Sequence, residues 1–467
     1  MIALALTSGL VMAASSATAG GKIDAKVLRA VKGGKAATYW AILRRSADLS
    51  GASSIADWDA RGAFVVDRLR AVANASQLGL KAMLSSQGVS HESFWIINAL
   101  RITSKAATLQ AVAAREEVAS IVPDRSAIVP KPIKSPDIDA IEWNIMRINA
   151  DDVWNSYNDR GEGITVANID TGVQWNHPAL IKQYRGICVF QCLTVNHNYN
   201  WYDPSRVCHP QGRTPCDNNG HGTHVMGTMV GDDRGPNQIG VAPRAYWIAA
   251  KGCESSSCSL DALLKSGQWM LAPTDLNDQN PRADLRPHVI NNSWGSGNGR
   301  DEFYRATVQA WVASGIFPVF AVGGGGPGCG TVGAPASYPE SYGVSAFDMN
   351  NDIASFASRG PSPLDGGIKP DIAAPGVSIR SSVPPNSYAI FSGTSMSTPH
   401  VAGTVALIWS INGAPSFSRN IPATMAVLDD TAIDVSNLTC GGDPDNNNVW
   451  GEGRLDAFAA VTAAREA

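Results

Sequence analysis

The chain has 467 residues, room for two or more domains, and carries 37 basic against 41 acidic side chains for a formal net charge of −4. So close a balance leaves no broad electrostatic footprint, and binding to nucleic acid or to an anionic membrane surface is not expected. No stretch after the first residues is long and apolar enough to cross a bilayer.

Residues 2–14 form an apolar run too short to span a membrane, and Ala17-Thr18-Ala19 offers the small residues a signal peptidase favours. Residues 1–19 therefore read as a signal peptide, although the positive residues usual ahead of the apolar run are missing. A secreted, extracellular or periplasmic, soluble monomer is the expectation.

Residues 39–43 and 94–102 have strand character, Val65, Leu69 and Val72 fall on one helical face, and a second helix over 105–117 precedes a strand over 118–122. The predicted order is strand, helix, strand, helix, strand. Neither proline nor cysteine occurs before Pro123; prolines then crowd at Pro123, Pro130, Pro132 and Pro136, and cysteines begin at Cys188. That shift marks a boundary. It divides the chain into a small domain over 20–123, an extended tail over 124–139 and a larger domain over 140–467.

In the larger domain an apolar run over 164–169, flanked by Gly163 and Gly172, predicts a buried parallel strand that delivers Asp170 at its carboxyl end. Next comes His221-Gly222-Thr223-His224. Its histidines are three apart, not four as in a His-Glu-x-x-His zinc helix, and no glutamate lies between them, so His224 is expected to be structural. Ser395 opens a predicted helix over 396–411, in which Val401, Ala402, Val405, Ala406 and Trp409 recur at helical spacing and Pro399 is placed in the first turn. Eight cysteines in an exported chain fit disulfides. The short separations Cys188/Cys192, Cys208/Cys216 and Cys253/Cys258 would leave Cys329 with Cys440; a zinc site of Cys188, Cys192, Cys208 and His209 is the other reading.

Asp170, His221 and Ser395 are the three groups an acyl-transfer site needs. A serine hydroxyl is a poor nucleophile until an adjacent base removes its proton, so folding must bring His221 to Ser395 while the carboxylate orients and stabilises the histidinium. A helix amino terminus at Ser395 also favours developing negative charge. Chain order differs between the unrelated folds that use this trio.

With the order Asp, His, Ser, and with Ile169-Asp170-Thr171-Gly172, His221-Gly222-Thr223-His224 and Ser392-Gly393-Thr394-Ser395-Met396-Ser397-Thr398-Pro399-His400, the chain resembles the subtilisin-like serine peptidase family. Further landmarks carry the resemblance over about 141–460: Asn291-Asn292-Ser293-Trp294-Gly295 is similar to the substrate-binding strand, Gly240-Val241-Ala242-Pro243 to the turn entering the next core strand, 369–376 to the loop ahead of the serine, and 451–460 to the closing helix. The stretches 315–320 and 328–333 look most like the bacillopeptidase F type of secreted bacterial peptidase.

The resemblance implies an α/β fold, a doubly wound, mostly parallel sheet flanked by helices, preceded by an α+β ferredoxin-like inhibitory prodomain over 20–123 whose tail occupies the cleft. It implies a secreted endopeptidase, made as a self-processed precursor, whose partners are protein or peptide substrates and its own prodomain. The acid-acting sedolisins share Ser-Gly-Thr-Ser but have glutamate in place of the histidine, so the intact His221 segment argues against them.

By the same resemblance, Ser293-Trp294-Gly295 and Ala321-Val322-Gly323 are two walls that hold an extended peptide through backbone hydrogen bonds, as an added strand is held. Gly333 is the base of a pocket with room for a large apolar side chain. Trp294 either narrows the entry or offers a stacking face, or is an ordinary, partly buried tryptophan. One departure stands out: relatives carry Ala-Ala-Gly-Asn-x-Gly where this chain has Ala321-Val322-Gly323-Gly324-Gly325-Gly326, so Gly324 replaces an oxyanion-binding asparagine. In a subtilisin, of this same family, losing that asparagine lowers kcat by about 10²–10³, roughly 2.7–4 kcal/mol, a value carried over from that enzyme. The backbone N–H of Ser395 remains and the hydroxyl of Thr394 assists; alternatively, four glycines shift the register and another group fills the hole. A slow peptidase, or a peptide-binding protein derived from one, follows from the first case. No cofactor is required. Calcium is left open without an identifiable ligand set, because Ala179 stands where relatives place a ligating aspartate and the loop over 443–448 lacks the glycine and terminal glutamate of an EF-hand. The loops around Asp217 and Asp232 are the remaining oxygen-rich places.

Overall fold

A computed structural model describes residues 19–129, 142–187, 195–208, 212–235, 237–411 and 419–467. Cys188, Cys192, His209, most of the signal peptide and the tail from Pro130 onward lie outside the described residues. Internal contacts divide the chain into two units, one of Met1–Ser46, Val72–Phe94 and Asn98–Asp124, the other of Ala47–Ala71, Trp95–Ile97 and Arg125–Ala467.

After a short helix α1 (Ala25–Ala30), the first unit forms an antiparallel sheet of β1 (Ala37–Leu43), β2 (His91–Phe94), β3 (Ala99–Ser104) and β4 (Val118–Pro123). Its order β2-β3-β1-β4, with helix α2 (Trp58–Ser86) between β1 and β2 and α3 (Ala106–Ala113) between β3 and β4, is ferredoxin-like. Tyr39, Leu80, Leu84, Leu100, Ile102, Leu109, Val112 and Ile121 form its core. Two expectations need correction. The run over 94–102 is not one strand: β2 ends at Phe94 and the chain reverses through 95–98, with Asn98 in the left-handed region at φ 47° that asparagine tolerates. The turn contains Trp95, Ile96 and Ile97, with no glycine or proline to mark it. The following helix is also shorter than 105–117, stopping at Ala113.

The second unit holds the first turns of α2, where Arg61 donates to the carbonyls of Val312 and Ala313 at 3.2 and 2.7 Å. A short strand β5 (Ser126–Ile128) and helices α4 (Trp143–Arg147) and α5 (Ala150–Tyr157) precede β6 (Thr165–Ile169). The chain continues through β7 (Trp201–Tyr202), α6 (His221–Val230), β8 (Tyr246–Ala250), β9 (Ser257–Ser259), α7 (Leu260–Leu271), β10 (Val289–Asn292), α8 (Arg305–Ala313), β11 (Phe317–Ala321), β12 (Tyr342–Phe347) and β13 (Ile372–Pro375). A hairpin of β14 (Ile379–Val383) and β15 (Ser387–Phe391) leads into α9 (Thr394–Ser410), followed by α10 (Ile421–Asp430) and α11 (Ala457–Glu466).

Seven of these strands form a parallel sheet in the order β13-β12-β11-β10-β6-β8-β7. β6, β10, β11, β12 and β13 are buried along their whole length, so they read as continuous runs and not as alternation. The winding reverses at β6, with β8 on one side and β10 on the other. In open parallel sheets the crevice at the carboxyl ends of such strands is where ligands bind. Helix α9 is buried from Thr394 to Trp409, a core helix with no polar face, and packs against α6 and β10 to β13. The closing helix starts later than 451–460, at Ala457, because Asp456 caps it by accepting the Ala459 N–H.

Disulfides join Cys208 to Cys216, Cys253 to Cys258 and Cys329 to Cys440. Cys208 is therefore no zinc thiolate. The Cys329–Cys440 bridge closes a separation of 111 residues, worth about 4–5 kcal/mol in the loop-entropy account. Replacing both by serine in a Ser395→Ala background is expected to lower the thermal midpoint by roughly 5–10 °C, and by more than the same change at Cys253 and Cys258, which are five apart. Equal shifts in scanning calorimetry would contradict this.

Candidate active site

Asp170 follows β6 at the reversal of winding and is fully buried. His221 heads α6 and places Nδ1 2.9 Å from Asp170 Oδ1, with side chains 1% and 0% exposed. The contact requires α6 to start almost on the Asp170 turn: a Cβ on Gly222 would lie 2.2 Å from the Gly172 carbonyl oxygen. Gly222 N–H instead donates to Thr171 Oγ1 at 2.9 Å, and that hydroxyl donates to Asp217 Oδ1 at 2.9 Å.

Asp217, absent from the sequence-derived site, organises this corner. Its carboxylate also accepts the N–H groups of Asn219, Gly220 and Thr223 and the Thr223 hydroxyl, a negative charge against the start of α6 where the helix dipole favours it. An aspartate a few residues ahead of His221-Gly222-Thr223-His224 was the available signal. Lys251 is buried beneath, its Nζ bonded to the Thr171 carbonyl and, at 2.8 Å, to Asn218 Oδ1. Burial holds its pKa below the ordinary lysine value, opposed by the charges of Asp217, Asp203 and Asp170.

Ser395 lies in the first turn of α9, whose N–H groups have no intrahelical acceptors. Pro399 is not in that turn but one turn on, so the Ser395 carbonyl loses the N–H that residue i+4 would supply. Ser293 replaces it: its hydroxyl donates to the Ser395 carbonyl at 2.8 Å and accepts from Asn291 Nδ2 at 2.9 Å. In return Ser395 Oγ donates to the Ser293 carbonyl at 3.1 Å. His221 Nε2 is buried and has no hydrogen-bond partner among the described residues, so its bond to the serine hydroxyl is not formed in this rotamer.

Gly323 has φ +100°, and a Cβ on Gly326 would lie 2.1 Å from the Ala357 carbonyl oxygen, whereas a Cβ on Gly324 would meet nothing nearer than the Phe356 carbonyl oxygen at 4.0 Å. Glycine is demanded at Gly323 and Gly326 but not at Gly324, and no described side chain lies within 4 Å of the position its Cβ would take. Thr394 Oγ1 accepts the Gly323 N–H at 3.2 Å.

The wall expected from Ala321-Val322-Gly323 is corrected by the hydrogen bonds. Val322 N–H goes to Val344 and its carbonyl to Gly333 N–H, while the Gly323 carbonyl takes Ser358 N–H, so these groups have no free edge for a peptide. The segment opposite Gly295 is instead β9. Strand β5 pairs antiparallel with β9, Ile128 and Gly295 exchange backbone bonds at 3.2 and 3.4 Å, and Val129 N–H donates to the Ser256 carbonyl at 3.1 Å. Ser256–Ser259, short and poor in strand formers, gave no signal in the sequence. Trp294 does not offer a stacking face at the entry; it is 2% exposed, edge-on to Tyr304 and Phe320. Gly333 sits tight beneath, where a Cβ would lie 2.2 Å from the Ser296 carbonyl oxygen.

His224 places Nε2 3.0 and 3.1 Å from the carbonyl oxygens of Ile379 and Ala389 and stacks on Phe391. No calcium ligand set is identified among the described residues. Ala179 brings no oxygen, Asp217 is saturated by its turn, Asp232 Oδ1 accepts the Arg234 N–H, and among the described residues no cluster of three His, Cys, Asp or Glu side chains is placed to hold a metal.

A doubly wound parallel sheet with a buried carboxylate–imidazole pair at its reversal, and a serine heading a core helix beside it, defines a subtilisin-like architecture. The Subtilase family matches residues 161–453, and the chain belongs to it. It is 38% identical over 86% of its length to Bacillopeptidase F of Bacillus subtilis (strain 168), spanning 29% of that protein, and is of that type. It is also 34% identical to Alkaline elastase YaB of Bacillus sp. (strain YaB), over 69% of this chain and 70% of the relative. Subtilisin Savinase of Lederbergia lenta is 32% identical over 69% of this chain and 99% of its own length.

Burial pushes His224 and His288 down to about 3 and His400 down to about 4, so all three stay neutral when folded and protonate on unfolding below pH ~6.5. Their contribution is whole above pH ~6.5 and lost as pH falls towards those values. In a Ser395→Ala background the unfolding free energy is expected to fall steadily from pH 6.5 to 4, and His400→Gln to flatten that slope by roughly one proton, about 1.4 kcal/mol per pH unit. An unchanged slope in the variant would contradict the assignment.

Proposed function

We propose that this chain is a secreted serine endopeptidase that hydrolyses peptide bonds of proteins through an acyl-enzyme and is made as a precursor that processes itself. The observation that carries the reading is the buried Asp170–His221 pair with Nε2 left unpartnered, beside a serine locked by its backbone at the head of α9. On this reading the Ser395 hydroxyl has to leave the Ser293 carbonyl and donate to His221 Nε2, which has no other partner among the described residues. His221 then accepts the proton as Oγ attacks the peptide carbonyl, Asp170 orients and stabilises the imidazolium, and His221 returns the proton to the leaving amine. Water attacks the acyl-enzyme by the same route in reverse.

The Ser395 N–H, aided by Thr394, receives the oxyanion; Gly324 supplies no side-chain donor. Strand β5, lying on β9 and Gly295 as an added strand, supports a groove that holds extended peptides and a tail, 124–139, that fills it in the precursor. The domain over 20–123 acts as the inhibitory prodomain. A peptide-binding protein without turnover is the second reading, favoured by Gly324.

A serine-reactive phosphonate is expected to label Ser395, and the label to be lost in His221→Ala. Gly324→Asn, for which the backbone has room, is expected to raise casein turnover by about 10²–10³ and to speed conversion of precursor to mature chain on a gel. Equal turnover by both forms removes the oxyanion assignment. An unlabelled Ser395 removes the peptidase.

A further inference from the structure

We propose that Asp301 and Phe303 form a subsite that selects a basic side chain in the bound peptide, three residues on the amino-terminal side of the residue that pairs with Gly295. This rests on reading the Gly295 wall as the substrate groove.

The occupant is the chain's own tail. Ile128 pairs with Gly295, and three residues earlier Arg125 is fixed on the wall, its carbonyl accepting the Leu260 N–H at 3.2 Å. Its guanidinium forms an ion pair through Nη2 with Asp301 Oδ1 and lies 5.6 Å from the centroid of the Phe303 ring. Charge and ring together favour a planar cation, and arginine over lysine.

Asp301 is placed by its own surroundings, not by the tail. Its N–H donates to the Asn298 carbonyl at 3.2 Å, its Oδ1 accepts the Phe303 N–H at 3.1 Å, and its carbonyl oxygen takes the Tyr338 hydroxyl. Arg305, the nearest basic residue of α8, is committed to Glu302 and Glu340. Among the described residues, Arg125 is the one cation in an ion pair with Asp301. The carboxylate is 16% exposed and the guanidinium 37%, so the pair is partly screened and acts as a selector more than as an anchor.

The test is an arginine scanned one position at a time through a neutral fluorogenic peptide, turned over by the full-length protein, with the cut located by mass spectrometry. One position is expected to raise kcat/KM about fivefold over glutamine, and glutamate there to lower it. Asp301→Asn is expected to flatten the scan and Asp301→Lys to reverse it. Each comparison is a ratio within one variant, so a general loss of folded protein cancels. A flat scan in the unaltered protein, or a preference that survives Asp301→Asn, overturns the subsite while leaving the peptidase standing. No turnover of any peptide together with no phosphonate label on Ser395 overturns both, since a chain that cuts nothing selects nothing.

Discussion

The structure depends on keeping one ion-capable pair, Asp170 and His221, dry and in register at the reversal of a buried parallel sheet. Removing either partner would strand the other in a low-dielectric interior, where an unpaired group is costly. Much of the surrounding sequence serves that pair: Gly222 admits α6 to the turn, Thr171 bridges the turn to Asp217, Asp217 gathers the amino end of α6, and Lys251 ties the Thr171 carbonyl from below. The imidazole is therefore aimed by backbone and carboxylate before any serine approaches it.

The serine is held on a separate principle. Pro399 withholds a helical hydrogen bond from the Ser395 carbonyl, and Ser293, just past the end of β10, supplies it. The end of β10 and the head of α9 are thereby fixed to each other through one side chain. Against that precision Gly324 is the exception. Gly323 and Gly326 must be glycine, for reasons of φ and of space respectively, and Gly324 need not be, so the lack of a side chain there is a property of this sequence and not of its backbone.

The main features were legible in the sequence where burial makes pattern and structure coincide. β6 is buried along its whole length and reads as a mostly apolar run interrupted by Thr165 and Asn168, and α9 is buried from Thr394 to Trp409, so Asp170 and Ser395 fall at recognisable ends of recognisable elements. What stayed hidden lacked a local signature. The reversal at 95–98 is made of large apolar residues and one left-handed asparagine, Asp217 acts through contacts spread over its own turn and Thr171, and β9 becomes a wall only when a distant strand lies against it. Pro399 was misplaced by one turn because the helix begins at Thr394, a residue ahead of the nucleophile. Trp294 shows the converse: a residue type suited to a binding face lies inside because Tyr304 and Phe320 converge on it.

The start of the larger domain is coupled to the nucleophile helix by buried polar groups, not by its length. Arg380 pairs with Glu142 at 3.0 Å, both side chains 7% exposed, reaches Asn237 with its other nitrogen at 2.9 Å and lies over the Tyr388 ring. Two residues on, Asn144 Nδ2 meets His400 Nε2 at 2.8 Å, one turn of α9 beyond Ser395. A buried ion pair is a poor source of net stability and a better source of register, because a shift of one residue would leave two charges unsatisfied. Such a device keeps 142–147 in place whatever becomes of the chain ahead of it. Were the chain cut within 124–139, the new amino end could move while the contacts that orient α9 remained.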